Sequence, residues 1–382
     1  MKKIFYWSPY LTNVATIEAV INSIKAVKKY SKNFNPILIN VCGEFDNYKN
    51  DLLKLDIEII DLVFFSYHKF LPAKGFLQSR LSFLIIFIVS FIPLFLLIRA
   101  RKPDYLIFHL ITSLPILVSN LIKKKTKFIL RISGLPKYNL FRRFLWKNLG
   151  KKIHKVTCPT NGTINDLRLL KIFNDDKIIL LRDPIINIKE LSKMKNNKNY
   201  PNFDDKDFSI VAIGRLTKQK NFTLLIQCFD QVLNLKKNSK LFIIGEGEQR
   251  VFLQKLIEEK KLSQKIFLLG FQKNVFNYLK NANLFILSSL WEDPGWVLME
   301  AAMCNTLILS SNCRNGPKEF LEDNRGGVLF ENNSIQDFLS KFKQIIELNQ
   351  KQIKEKKFFS KKKTKLFTKF QHFKNLKEII ST

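Results

Sequence analysis

The sequence is poor in the residues that build disulfide frameworks and metal clusters. Its 382 residues include five cysteines and four histidines. The cysteines are scattered, and no two of them form a CxxC pair: Cys42, Cys158, Cys228, Cys304 and Cys313. This pattern argues against a disulfide-stapled secreted domain and against a zinc site, and it indicates buried thiols in a reducing compartment.

Acidic residues are also scarce. The chain has 32 Asp and Glu against 64 Lys and Arg, which gives a net charge of +32 at pH 7. Such a charge predicts an anionic partner, and nucleic acid, an anionic membrane surface and phosphorylated substrates all qualify. AT-rich codon usage, the alternative explanation, accounts for the abundant lysine but not for the few acids. No RRM, helix-turn-helix or zinc-knuckle pattern appears, which disfavours a nucleic-acid-binding protein.

Long apolar runs are limited to one place. We expect no cleavable signal peptide, because Met1 is followed by two lysines and then only by the short apolar run Ile4–Trp7. The most hydrophobic stretch, Phe83–Ile98, falls short of the roughly 20 apolar residues that a spanning helix needs, and it contains Pro93. We therefore predict a buried or interfacial helix here rather than a true membrane span.

Apolar runs typical of strands alternate with helical stripes along most of the chain. The strand-like run Ile4–Trp7, for example, is followed by the amphipathic segment Ala15–Tyr30 and then by another apolar run. This order is the opening of a parallel α/β sheet, and the length favours two domains. We predict an amino-terminal domain over 1–186, a polar linker over 187–207 and a carboxyl-terminal domain over 208–350.

The remaining residues, 351–382, are rich in lysine and carry an apolar stripe at helical spacing. We predict a basic carboxyl-terminal helix that packs back on the body, with a membrane-surface helix as the alternative. Tyr138–His154 interleaves aromatic and basic residues, which suits anionic lipid headgroups and an ordinary solvated face equally. Asp205-Lys206-Asp207 has the spacing of a metal-binding DxD, but it precedes its strand, and we interpret it as a solvated turn.

One stretch combines a strand, a tight turn and a helix start. The apolar run Asn283–Ser288 is bounded like a buried strand. After it, Asp293 suits the helix N-cap and Pro294 suits the first helical position. The first-turn N–H groups would then form an anion site aided by the helix dipole. These groups belong to Gly295, Trp296 and Val297.

Two carboxylates, Glu292 and Glu300, flank this turn. The combination suits a nucleotide sugar, with phosphate on the amides and sugar hydroxyls on the carboxylates. An ordinary strand-to-helix connection with a good cap is the alternative, because short motifs of this kind also occur without a ligand.

The seven-residue separation of Glu292 and Glu300 resembles the EX7E motif of family 4 (group 1) retaining glycosyltransferases of the GT-B fold. Gly214–Asn221, with the sequence GRLTKQKN, resembles the G-R-L-x-x-x-K-N loop of that family. Three further motifs match in the family's order: Gly245-Glu246-Gly247, Gly270-Phe271 and Gly316-Pro317-Lys318-Glu319. The amino-terminal half is similar to polysaccharide and capsule members. The resemblance implies two Rossmann-like parallel-sheet domains facing a central cleft.

The resemblance also implies roles for these residues. Arg215 and Lys220 would hold the donor diphosphate and offset charge that grows on the leaving group, and Glu292 would sit near the donor sugar. Gly214 and Gly245 would help to bind the donor, and Gly247 and Phe271 would lie near its nucleobase. The amides of Gly295, Trp296 and Val297 would orient the donor sugar or its phosphate. Glu300 would accept hydrogen bonds from the ribose hydroxyls. No bound metal and no other cofactor is implied.

The amino-terminal half departs from the family pattern. The loop after the first strand, Ser8–Asn13, has no glycine, and Ser133-Gly134 stands where the family often has a histidine before a glycine. His109 ends a neighbouring strand and is a candidate for a sugar or acceptor contact, with a buried structural histidine as the alternative. These departures concern the acceptor and the sugar rather than the class of enzyme.

These observations predict a glycosyltransferase that moves a sugar with retention from a nucleotide-diphosphate sugar to an acceptor hydroxyl. The basic amino-terminal half and its apolar stretch favour a lipid-linked intermediate of surface polysaccharide synthesis as acceptor. We expect a cytoplasmic protein, peripheral on the inner face of the plasma membrane. A sugar-nucleotide epimerase of GT-B shape is the alternative, since it would bind the same donor without an acceptor.

Overall fold

The computed structural model describes residues 1–12, 15–72, 75–122, 125–134, 140–186, 203–204 and 206–381. Asp205 and most of the predicted linker lie outside the described residues. The chain divides into two compact units, one formed by Met1–Ile185 with Lys369–Thr382 and the other by Ile186–Thr368.

The amino-terminal unit is built on a seven-stranded sheet in which every pair of neighbouring strands is parallel. The strand order across the sheet is β3-β2-β1-β4-β5-β6-β7. The strands are β1 (Lys2–Trp7), β2 (Phe34–Asn40), β3 (Glu58–Asp61), β4 (Tyr105–Phe108), β5 (Lys127–Arg131), β6 (Ile153–Cys158) and β7 (Ile178–Leu180). Its helices before the second unit are α1 (Ala15–Tyr30), α2 (Lys49–Leu53), α3 (Phe76–Arg101), α4 (Ser113–Leu121), α5 (Leu140–Phe144), which continues as a π-helix over Leu145–Leu149, and α6 (Asn161–Leu169).

The carboxyl-terminal unit has a six-stranded parallel sheet of order β10-β9-β8-β11-β12-β13. The strands are β8 (Phe208–Ile213), β9 (Ser239–Ile244), β10 (Ile266–Leu268), β11 (Leu284–Leu287), β12 (Leu307–Ser311) and β13 (Val328–Phe330). The helices are α7 (Phe222–Gln227), α8 (Phe229–Leu235), α9 (Arg250–Glu259), α10 (Phe276–Asn281), α11 (Trp296–Met303), α12 (Pro317–Leu321), α13 (Ile335–Ile346) and α14 (Gln350–Lys363).

Each sheet is apolar because helices cover both of its faces. On β1 the side chains of Phe5 and Trp7 enter one core cluster, while those of Ile4 and Tyr6 enter the cluster on the opposite face. All four side chains are fully buried, which is why a parallel strand appears in the sequence as a continuous apolar run. Since all strands of a sheet are parallel, the loops that follow them meet at one edge.

The chain closes with two helices where the sequence predicts one over 351–382. α14 ends at Lys363, a 3₁₀ turn covers Thr364–Phe367, and α15 follows over Lys369–Ser381. α15 belongs to the amino-terminal unit and packs against α1. Its buried side chains include Leu376 and Ile380, and His372 Nε2 lies 2.8 Å from Ser23 Oγ.

α3 is longer than the apolar run that predicts it. It has 26 residues and continues through Pro93, whereas the run Phe83–Ile98 suggests a shorter helix. The segment Leu77–Arg101 is long and apolar enough to cross a membrane. Its most apolar 18 residues have a mean hydropathy of 3.0, and 28% of them are buried. Ile86 is fully buried, while Ile88 and Ile92 are each 64% exposed. One side of α3 therefore faces the core and the other is an apolar surface.

Candidate active site

The predicted donor-binding glycines lie in loops at the carboxyl edge of the second sheet. Gly214 follows β8 and its N–H donates to Ile244 O at the end of β9, over 3.0 Å. Gly245 follows β9 and its N–H donates to Gly270 O, over 2.9 Å. The loops after β8, β9 and β10 are thus joined backbone to backbone.

These glycines are required by contacts between the loops themselves. A Cβ on Gly245 would lie 1.9 Å from Gly214 O, and Gly245 has a φ of +144°. A Cβ on Gly247 would lie 2.4 Å from Leu216 O. The sequence predicts these glycines as places where a ligand approaches the backbone, and the structure adds the need for loop packing.

Lys220 is positioned by the loop that follows β8. A 3₁₀ turn over Lys218–Lys220 leads into Asn221, which has a left-handed conformation with a φ of +51°, and then into α7. Ser288 Oγ donates to Lys220 O over 2.8 Å, so the loop after β11 holds this turn in place. The Lys220 side chain is 13% exposed and its Nζ lies 2.5 Å from Glu292 Oε1.

Glu292 is the centre of a small hydrogen-bonded cluster. Its side chain is 7% exposed, and Ser289 Oγ donates to the same Oε1 atom over 2.6 Å. Ser311 Oγ, at the end of β12, donates to Ser289 O over 2.6 Å. Sequence analysis missed these two serines, although the position of Ser289 three residues before Glu292 is a signal of local contact.

The turn between Glu292 and α11 differs from the prediction. Asp293 is not the N-cap and Pro294 is not the first helical residue, because α11 begins at Trp296 and its N-cap is Gly295. Gly295 has a φ of +85°, which is incompatible with helical geometry, so the helix cannot start before it. The Asp293–Pro294 peptide is cis. A Cβ on Gly316 would lie 2.2 Å from Pro294 O, which explains the glycine at that position.

The first turn of α11 has a different set of amides from the predicted Gly295, Trp296 and Val297. First-turn N–H groups point outward past the end of a helix, and here the first two belong to Trp296 and Val297. The third, Leu298 N–H, donates back to Gly295 O over 3.0 Å. Gly295 therefore shapes the turn and precedes the amides instead of lying within the helix.

Glu300 lies one turn further along α11 and is half-buried. Burial raises the pKa of its carboxyl group to about 7, and the positive charge of Lys220 acts in the opposite direction. The structure pairs Lys220 with Glu292, and the charge of Lys220 also acts on Glu300 in the helix that follows Glu292. All three were predicted from motifs separated by up to 80 residues.

Two other predicted residues are placed differently. The Arg215 side chain is exposed on the same loop as Lys220, and the Phe271 ring is 77% exposed just after Gly270. Phe271 is therefore an accessible aromatic surface at the sheet edge, which is the setting that stacking of a nucleobase requires. Within the described ranges, no three His, Cys, Asp or Glu side chains converge as a metal site.

His109 lies in the other unit, just after β4, and is 9% exposed. Its Nδ1 atom is buried and has no hydrogen-bond partner among the described residues. Burial, together with the positive charges of Arg131 and His372, lowers the pKa of His109 well below its usual value. Burial of the ring therefore favours the neutral imidazole.

The raised pKa of Glu300 predicts a pH-dependent stability difference. The pKa of Glu300 is higher in the folded state than in the unfolded state. The free energy of unfolding therefore falls as pH rises from about 4.5 to 7 and the buried carboxyl group loses its proton. Glu300→Gln removes this cost, so the melting temperature of the variant should rise relative to the parent between pH 5 and pH 8. Glu248→Gln, at an exposed position, serves as control. The same melting-temperature difference between variant and parent at pH 5 and at pH 8 would contradict the burial of this charge.

The comparisons with known proteins agree on one class. Residues 193–365 match the family model described as glycosyl transferases group 1. An uncharacterized glycosyltransferase of Methanocaldococcus jannaschii is 34% identical over 241 residues, which is 59% of each chain. A Campylobacter jejuni relative is 33% identical over 142 residues, 37% of this chain and 38% of that protein. Its name is N-acetylgalactosamine-N,N'-diacetylbacillosaminyl-diphospho-undecaprenol 4-alpha-N-acetylgalactosaminyltransferase. The chain thus matches less than two thirds of the length of these curated relatives.

Solved structures resemble the whole chain. A glycosyltransferase from Rickettsia africae has a TM-score of 0.75 at 18% identity, covering 100% of this chain and 99% of that one. HepE of Anabaena in complex with UDP has a TM-score of 0.73 at 14% identity, covering 100% of both chains. The predicted GT-B fold, with two parallel sheets of seven and six strands, is confirmed. The sequence matches support a group 1 glycosyltransferase of GT-B type.

Proposed function

We propose that this chain is a retaining glycosyltransferase that moves a sugar from a nucleotide-diphosphate sugar to an acceptor hydroxyl. The observation that carries the proposal is the Lys220–Glu292 ion pair beside the first turn of α11, with Glu300 one turn further. A cation and helix amides suit a diphosphate, and Glu300 suits the ribose hydroxyls.

The chemistry follows from where charge develops. When the bond between the sugar C1 and the diphosphate oxygen breaks, negative charge grows on the leaving group, and Lys220 and Arg215 offset it. Glu292 Oε1 already accepts from Lys220 and Ser289, which supports a positioning role for Glu292 rather than that of a nucleophile. We propose a front-face displacement in which the acceptor oxygen attacks C1 and its proton passes to the leaving phosphate.

The proposed acceptor is a lipid-linked intermediate of surface polysaccharide synthesis, including capsule. The Campylobacter jejuni relative is named for a diphospho-undecaprenol-linked acceptor, and a relative from Escherichia coli is named for a diphosphoundecaprenol acceptor. The exposed apolar side of α3 and the net charge of +32 favour a peripheral position on the anionic inner face of the plasma membrane.

Acceptor-dependent product release tests the function. A melting-temperature screen against nucleotide sugars first identifies the donor, since a ligand that binds the folded state stabilises it. Free nucleoside diphosphate should then appear only when a lipid-linked acceptor is added. Release of an isomerised nucleotide sugar without acceptor would instead indicate an epimerase.

We propose that no metal is required, so turnover should be unchanged by EDTA. Loss of turnover in EDTA and its recovery with a divalent cation would contradict this.

Membrane binding is tested separately with vesicles. The protein should co-sediment with anionic phospholipid vesicles at low salt, and replacing Ile88 and Ile92 by glutamate should abolish this, since both side chains are exposed on α3. Phe252→Glu combined with Val251→Glu, at exposed positions on α9, is the control with the same added charge. A protein that stays in the supernatant with these vesicles contradicts the membrane proposal.

A further inference from the structure

The amino-terminal unit contains a cavity of about 800 Å³ at the carboxyl ends of β4 and β5. Four segments and Thr16 of α1 provide its described walls; the segments are His109–Ser113 after β4, Leu130–Gly134 after β5, part of α3 and the helical segment from Arg142 to Trp146. Their residues are far apart in the sequence, and only the parallel sheet brings them to one place. Nothing in the donor-binding motifs accounts for this cavity.

Three side chains of the cavity wall carry buried polar atoms that lack a partner in the described part of the chain. His109 Nδ1, Ser133 Oγ and Trp146 Nε1 are buried and have no hydrogen-bond partner among the described residues. Trp146 is 2% exposed and His109 is 9% exposed. A buried polar group without a partner costs roughly 1–3 kcal/mol, so a polar ligand that reached these atoms would stabilise the wall.

The cavity also gathers positive charge. Arg80 of α3 and Arg142 of α5 both line it, and the Arg142 guanidinium lies 5.8 Å from the centre of the Trp146 ring. The two arginines share one cavity lining; burial lowers the pKa of Arg142, and the charge of Arg80 adds to this effect. The described lining includes no Asp or Glu. An anion between the two arginines would relieve their repulsion.

One wall continues outward as an apolar surface. Phe83, Leu84 and Phe87 of α3 line the cavity, and Leu84 is itself 54% exposed. One and two turns further along the same helix, Ile88 and Ile92 are exposed. An amphiphile could therefore keep its charged group in the cavity while its hydrocarbon chain lies along α3. Covering apolar surface in this way contributes a favourable free energy of about 25 cal/mol for each Å².

We propose that this cavity binds the acceptor by its lipid-linked phosphate or diphosphate. The anionic group lies between Arg80 and Arg142, the hydrocarbon chain follows the exposed side of α3, and a sugar hydroxyl reaches His109 and Ser133. This inference rests on the proposed function, because it identifies the acceptor of the same reaction.

Calorimetric titration tests the cavity with three probes: farnesyl diphosphate below its micelle concentration, farnesol and inorganic pyrophosphate. The titrations are made with the donor site saturated by the nucleoside diphosphate that gives the largest melting shift, so that a diphosphate probe cannot enter it. Farnesyl diphosphate should bind at least tenfold more tightly than either fragment. The double variant Arg80→Ala, Arg142→Ala should weaken it at least tenfold.

The matched control is the double variant Arg99→Ala, Arg143→Ala. It removes the same charge from α3 and α5 at exposed positions outside the cavity, and it should bind farnesyl diphosphate like the parent. The cavity assignment is overturned if both double variants lose the same affinity for farnesyl diphosphate, or if the parent does not bind it. Pyrophosphate that binds as tightly as farnesyl diphosphate overturns the role of the lipid chain.

The nucleoside diphosphate melting shift separates this proposal from the proposed function. The shift reports the carboxyl-terminal unit and should be the same in the parent and in both double variants. A normal shift without farnesyl diphosphate binding refutes the cavity alone. If no shift occurs with any of UDP, GDP, ADP and dTDP, the glycosyltransferase proposal itself fails.

Discussion

Lys220→Ala is expected to lower kcat by about 10²–10³-fold, the usual loss when one preorganised group that stabilises transition-state charge is removed. The Lys220 amine is 2.5 Å from Glu292 Oε1 and beside the first turn of α11, where the leaving diphosphate is proposed to lie. Steady-state turnover with saturating donor and acceptor measures the effect. Lys218→Ala is the matched control, because Lys218 is exposed on the same 3₁₀ turn.

Lys220→Ala also leaves the Glu292 carboxylate buried without its cation, which costs stability. The double variant Lys220→Ala, Glu292→Gln removes the unpaired charge. It should recover most of the melting temperature while turnover stays low, which shows that lost stability does not account for the lost turnover. Recovery of turnover together with stability would show that Lys220 acts only by supporting the fold.

Gly245→Ala is expected to lower the melting temperature of the carboxyl-terminal unit by about 10 °C, equivalent to a loss of roughly 4 kcal/mol. The new Cβ would lie 1.9 Å from Gly214 O and 2.9 Å from Gly214 C. Both are backbone atoms, so the loops after β8 and β9 must separate, and the φ of +144° adds strain for any side chain. Differential scanning calorimetry measures the shift.

Gly214→Ala is the informative comparison. Its Cβ would meet Lys220 Cδ and Cε at 2.9 Å, and these atoms belong to a flexible side chain that can move. The melting temperature should therefore change by only a few degrees, while turnover falls because the Lys220 amine is displaced. Similar melting temperatures for the two glycine variants would contradict the close backbone approach at Gly245.

Local patterns in the sequence identified residues that lie at one edge of the second sheet. Lys220, Glu292 and Glu300 were found from motifs, because each lies just after a strand or in the helix that follows one, and parallel strands bring those positions to one edge. The helix start was predicted wrongly because the left-handed Gly295 delays α11, and neither a cap residue nor a proline in sequence reveals that conformation.

The cavity of the amino-terminal unit was much less predictable. Arg80, His109, Ser133 and Arg142 come from four different segments and share no spacing, so their convergence depends on the order of strands in the first sheet. The length of α3 was underestimated because the apolar run marks only its middle, while polar residues at both ends continue the helix.

The placement of α15 affects how the protein is made. Its side chains Leu376 and Ile380 belong to the same core cluster as Ile17 and Val20 of α1, yet they are translated after the carboxyl-terminal unit. A ribosome must therefore complete the whole carboxyl-terminal unit before the first unit can close its core. A nascent chain, or a fragment ending at Ile185, exposes the α1 surface that α15 covers, and it is a substrate for chaperones and proteases.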